Sequence, residues 1–230
     1  MRLHTTTVLG LTALAALALA GCSNDSAPVG NPTAPSSARQ EGKDAAAPAP
    51  LSSATLSKRL LDESDLGDGY TRKPEAPKRH DDVTVSGCPA LAKLGKRTAS
   101  GSGLDFPRKA EVSFAYTGSD SSEVSEELYS DSAAKLSKGI GKVFDAMLSC
   151  PSYQVASGST VVDIGTGEMA APDVGDEQWS QLLTYSAGGQ RSVVKQTAIR
   201  VGDVLVVVSG APSLVDRHLK KALGKVQRVV

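Results

Sequence analysis

The chain is poor in the residue types that usually do chemistry. Its 230 residues include three cysteines, three histidines, one tryptophan and nine aromatic residues of the Phe, Tyr and Trp kinds. No cysteine pair has the C-x-x-C spacing of a redox or zinc motif, and no serine sits in a G-x-S-x-G elbow. Zinc centres take three or four convergent ligands, so with two histidines beyond His4 a metal centre is not expected. His80 in "KRHDD", beside Asp81 and Asp82, reads as a solvated loop residue, and His218 as an exposed residue on the flank of a helix. Charge of one sign is lacking too. Twenty-five basic residues balance 25 acidic ones, which argues against a nucleic-acid surface, normally distinctly basic. No apolar run reaches the roughly 20 residues that a spanning helix needs. These shortages make an enzyme, a cofactor protein and a nucleic-acid binder poor expectations.

The N-terminus is informative. A short cationic start at Arg2 is followed by an Ala/Leu-rich run from Val8 to Ala20, the pattern of a secretory signal peptide over 1–21. The junction Leu19-Ala20-Gly21-Cys22 resembles the lipobox of bacterial lipoproteins, in which the cysteine receives a diacylglycerol. Cys22 is therefore the expected lipid attachment site. Two acyl chains suffice for stable anchoring without a spanning helix. Removing 1–21 takes away one charge, Arg2, and leaves 24 basic against 25 acidic residues. Residues 23–50 hold five prolines and no aromatic residue. Such a segment buries too little apolar surface to offset its ordering entropy, and as a coil it spans roughly 30 Å. The expectation is a tether over 22–50 and one domain over 51–230.

An extracytoplasmic address makes disulfides persistent. With Cys22 acylated, Cys88 and Cys150 remain, and a structural bridge between them is expected. Each precedes a proline, Pro89 and Pro151. Proline suits the first turn of a helix and ends the one before it, so the bridge should join one helix start to another helix end.

Periodicity outlines the domain. A helix starts near Ser52 or Ser53 and carries Leu56, Leu60 and Leu61 up to the glycines of "DLGDGY"; a second covers 89–95. Residues 110–117 alternate as a strand, whereas 131–149 place Leu136, Ile140, Val143, Phe144, Met147 and Leu148 on one helical stripe. Residues 123–130 fit either an extension of that helix or a separate strand. Strands at 178–186 and 190–201 meet across Gly188-Gly189. The apolar run Val204–Val208 reads as a buried central strand, and a last helix follows Pro212. The expected architecture is α+β, an antiparallel sheet of about five or six strands with helices packed on one side. The acidic stretch 165–179, with Glu168, Asp173, Asp176 and Glu177, reads as a solvated loop and not as a calcium site. Trp179 is expected in the core, or as the wall of a ligand cleft together with Tyr185, since aromatics dominate such walls.

The succession of "LSKRLLDESDLGDGYT", "SGCPAL", "SCPSYQV" and "VGDVLVVVSG" resembles the extracellular sensor domain of PknH-type actinobacterial serine/threonine kinases, in a free-standing lipoprotein. The resemblance spans most of 54–228. It implies an antiparallel sheet, a cleft thought to receive a ligand, and a strand at 123–130; no binding motif transfers residue by residue. Two functions are expected. One is a lipid-anchored extracytoplasmic binding or sensor-like module for a small envelope ligand, marked by a deep apolar-lined cleft. The other is a protein-interaction or scaffolding lipoprotein, marked by a flat apolar patch. The membrane, through the anchor, is the expected partner of both.

Overall fold

The computed structural model describes residues 49–75, 83–94, 104, 106–118 and 122–227. Cys22, His80 and residues 22–48 of the tether lie outside the described residues. The described part falls in one compact unit spanning 46–230.

The elements follow in chain order. Ser52 accepts a hydrogen bond from the Thr55 N–H and so caps α1 (Ser53–Ser57), as serine does where the first turn leaves N–H groups unpaired. Asp62 and Asp65 form a reciprocal capping box on α2 (Glu63–Leu66). The single helix expected here is two short ones joined by a turn. Then come β1 (Tyr70–Arg72), β2 (Val83–Ser86), α3 (Pro89–Ala92), β3 (Lys109–Tyr116), β4 (Ser122–Ser130) and α4 (Ala133–Leu148). The chain continues with β5 (Ser152–Ser157), β6 (Thr160–Glu168), β7 (Glu177–Ala187), β8 (Gln190–Val201), β9 (Val204–Gly210) and α5 (Pro212–Gln227). Residues 123–130 thus form a strand, as the resemblance implied. The β7–β8 turn is Gly188-Gly189, with φ of 55° and 78°; both lie in the left-handed region that two-residue hairpin turns require.

Among the described residues nine strands form one antiparallel sheet in the order β1-β3-β4-β9-β8-β7-β6-β5-β2. Five or six strands were expected. The extra ones are the short edges β1 and β2 and the β5–β6 hairpin, which bury little: Tyr153 and Ile164 are the buried residues of β5 and β6. The one-sided arrangement of helices is corrected as well. Val204, Val206 and Val208 pack with Leu214, Val215 and Leu219 of α5 and with Leu56, Leu60 and Leu61. Leu205 and Val207, pointing the other way, pack with Leu136, Ile140 and Phe144 of α4. Helices therefore cover both faces: α5 packs over β4, β9 and β8, α4 over β9, β8, β7 and β6, and the two overlap across β8 and β9. This explains why β9 is apolar throughout: Val204–Val208 are all buried, each face beneath its own helix.

The expected bridge is present. Cys88 and Cys150 form a disulfide with Cα atoms 5.6 Å apart. Cys88 is the residue before α3, with Pro89 in its first turn, and Cys150 follows the last turn of α4. The bridge sits in a small core with Leu91, Met147, Tyr153, Ile164 and Leu183, which ties the outer strands to α4.

Candidate ligand cleft

Over β4, β9 and β8, one sheet face is roofed by α5. Farther along that face, over β7 from Leu182 onward and over β6, β5 and β2, the strand residues are exposed to half-buried. The register places Ser86 beside Gln154, Gln154 beside Asp163, Asp163 beside Ser186 and Ser186 beside Arg191. Directly opposed residues share a face at a Cβ spacing of roughly 5 Å. Five polar side chains therefore cross five strands in one row. Gln154 Nε2 donates to Asp163 Oδ1 at 2.8 Å, which orients both groups within the row.

The next row runs Ser152, Gly165, Thr184, and the one after it pairs Gly167 with Leu182. Glycine at 165 and 167 removes two side chains from β6 and leaves a trough. A Cβ at Gly165 would stand 3.8 Å from Thr184 Cβ, and one at Gly167 would meet nothing within 4 Å. The trough and the polar row line a cleft of about 710 Å³, within the range of small-molecule sites. Its walls mix hydroxyls, an amide, a carboxylate and a guanidinium with apolar surface from Leu182, Ile164 and Tyr153, so the apolar lining expected of a binding module is present in part. Val161 and Val193, 49% and 42% exposed, belong to the same face through their pairing with Ala156 and Thr184.

The aromatic pair singled out from the sequence is elsewhere. Trp179 and Tyr185 lie six residues apart on β7, roughly 20 Å along the strand, on the face opposite the cleft. Trp179 packs beside the α4 core, its ring centroid 6.5 Å from that of Phe144. Tyr185 packs against the disulfide core, where burial pushes its phenol up. The structure does not bring the two together. The polar row has no signature in the sequence because it is assembled by register: its members are spread over residues 86–191, and none stands in a local motif.

Other candidates resolve differently. His218 is buried, not exposed; its Nε2 is 2.6 Å from the Tyr70 hydroxyl, and burial, with Arg217 nearby, lowers its pKa. In the acidic stretch, Glu168 belongs to β6 and Glu177 to β7. Arg200 pairs with Asp176 at 2.9 Å and with Glu177 at 3.0 Å, and the guanidinium bond holds Glu177 below its usual carboxylate range. Two of the four carboxylates are thus structural. Among the described residues, no group of three or more His, Cys, Asp or Glu side chains is placed to hold a metal ion, and no helix is long and apolar enough to cross a membrane.

No known family model matches the chain, and no curated protein does. Among solved structures, the extracellular domain of PknH from Mycobacterium tuberculosis aligns with a TM-score of 0.58 at 15% identity, over 78% of this chain and 98% of that one. The fold is that of the PknH extracellular domain. The resemblance read from the "DLGDGYT", "SCPSYQV" and "VGDVLVVVSG" segments holds at this level. A Mycobacterium smegmatis protein described as putative and uncharacterized aligns more loosely, with a TM-score of 0.40 at 10% identity over 74% of this chain and 96% of that one. The PknH-type fold accounts for the sheet and its helices; the polar row is a property of this chain's own residues.

Proposed function

We propose that this protein is a lipid-anchored, extracytoplasmic binding module of the sensor type that captures a small polar envelope ligand in the cleft of the β2–β5–β6–β7 wing. The observation that carries this reading is the row Ser86, Gln154, Asp163, Ser186 and Arg191 beside the Gly165–Gly167 trough. A row of donors and acceptors on rigid strands fixes the orientation of a hydroxyl-rich or zwitterionic ligand at little entropic cost. The address fits the Cys22 lipobox and the buried disulfide, which belongs to an oxidising compartment. The scaffolding alternative gains less support. Among the described residues the exposed large apolar side chains are Val161, Val174 and Val193, and two of these belong to the cleft face.

The test uses a small-molecule extract of the bacterial envelope, with masses retained by the protein read by mass spectrometry. Gly165→Val fills the trough without backbone strain, since Gly165 already has ordinary strand geometry. Arg191→Ala removes the cation at the end of the row. Each is expected to weaken retention of the bound species about tenfold or more, while thermal unfolding stays close to that of the unsubstituted protein. Retention unchanged in both variants would place the ligand elsewhere.

A further inference from the structure

A second pocket, of about 550 Å³, lies on the same sheet face between the 169–176 loop and α5. Its chemistry is unlike that of the cleft. Ala170, Ala171, Pro172 and Val174 of the loop face Leu219 and Leu223 of α5. Lys195 of β8 and Asp216 and Lys220 of α5 complete the lining. Lys195 is 8% exposed, and its Nζ donates to Asp216 Oδ1 at 2.5 Å. Asp216 keeps 60% of its side chain in solvent, so it can turn outward and release an ammonium that has three donors. The two lysines outnumber the one carboxylate.

The pocket is preformed. The Met169 N–H donates to the Ser180 carbonyl at 3.1 Å and the Asp176 N–H to the Arg200 carbonyl at 2.8 Å, which pins the loop at both ends. Gly175, at φ 78°, lies so close to the sheet that a Cβ there would stand 2.5 Å from Ile199 Cγ2. The loop is thus held down while Val174 remains 40% exposed. An apolar side chain left open in a rigid pocket, beside a buried ammonium, matches a ligand with an acyl chain and an anionic end.

We infer that this pocket binds a medium- to long-chain alkanoate or a related single-chain anionic lipid, its chain between the 170–174 loop and α5 and its anionic head on Lys195 and Lys220. The inference concerns a separate pocket and does not rest on the polar cleft. The register adds one feature: Lys195 stands opposite Leu182 of the cleft wall, so the head of the lipid lies where the two sites adjoin.

The test is calorimetric titration of the full chain carrying Cys22→Ser, so that acyl groups of its own cannot compete. Octanoate, decanoate, dodecanoate and the uncharged dodecanol are the probes. The expected result is saturable binding that tightens roughly fourfold per added methylene, with dodecanol at least tenfold weaker than dodecanoate. Ala171→Trp, which fills the pocket, is expected to abolish dodecanoate binding. Val174→Asp, at an exposed position, gives the same test should Ala171→Trp fail to fold. Lys195→Met is expected to reduce dodecanoate to the affinity of dodecanol. Absence of saturable dodecanoate binding, binding unchanged in both loop variants, or a carboxylate preference that survives Lys195→Met would each overturn the inference. Gly165→Val is expected to leave dodecanoate binding intact, which separates failure here from failure of the polar cleft.

Discussion

Removing the Cys88–Cys150 bridge, by full reduction or by Cys88→Ala with Cys150→Ala, is expected to cost about 4 kcal/mol of stability. The figure follows from the chain-entropy cost of the closed loop, for cysteines 62 residues apart. The structure says where the loss concentrates. α3 has four residues, too few to persist alone, and it is held by Leu91, fully buried against Met147 and the two cysteines. Beside it, β2 is an edge strand of four residues, paired to β5 alone among the described residues. Without the bridge both elements lose their covalent tie to α4 and keep only the Leu91 packing, which loosens Ser86, the outer member of the polar row, with them. Equilibrium denaturation with and without reductant reads the total. Hydrogen exchange over 83–94 reads the locality, and should accelerate more there than in β8 or β9. An unchanged denaturation midpoint, or a loss spread evenly over the sheet, would refute this account of the bridge.

The second large effect comes from Glu126. It lies on the α1/α2/α5 side of β4 between Val112 and Val208, 1% exposed. Oε2 accepts the Leu61 N–H at 2.6 Å, whereas Oε1 has no hydrogen-bond partner. Burial pushes the carboxyl up to about 7. The Leu61 N–H and the Lys225 ammonium oppose that rise, and the Asp65 carboxylate adds to it. A folded-state pKa above the unfolded value means that the native state holds its proton longer, so stability falls as pH rises from about 4.5 to 7 and is level above that. The contribution is on the order of 3 kcal/mol.

Glu126→Gln keeps an acceptor for Leu61 and removes the titration. It is expected to stabilise the protein at pH 8 by on the order of 2 kcal/mol and to change little at pH 4.5. Asp65, beside it, runs the other way: hydrogen bonds from Lys225, the Asp62 N–H and Lys221 hold it low against its own burial, so its contribution is lost only as pH falls further. Denaturation of both proteins between pH 4.5 and 8 isolates the Glu126 share. A difference that stays constant across that range would contradict the assignment.

How much of this was legible in the sequence depended on whether the signal was local. The Ser52 cap, the Leu136–Met147 stripe, the glycine hairpin and the double-sided Val204–Val208 strand are short-range patterns, and each stands where periodicity placed it. The bridge was legible because few thiols were left to choose from. The sheet was undercounted because β1, β2 and the β5–β6 hairpin carry little apolar alternation. The burial of His218 is not legible locally, because the hydroxyl that satisfies its ring lies 148 residues away, on Tyr70. The polar row was invisible for the same reason, since nothing in the spacing of residues 86, 154, 163, 186 and 191 announces that a sheet will align them.

The most direct test of the central claim is to purify the protein from its native envelope and compare native with denaturing mass spectra. The account predicts a small-molecule mass that leaves on denaturation and is not retained by Gly165→Val protein. It also predicts a denatured chain that bears a diacylglycerol on Cys22 and lacks the two hydrogens of a free Cys88/Cys150 pair. A bare, unlipidated chain that begins ahead of Cys22 would contradict both the address and the binding role built on it.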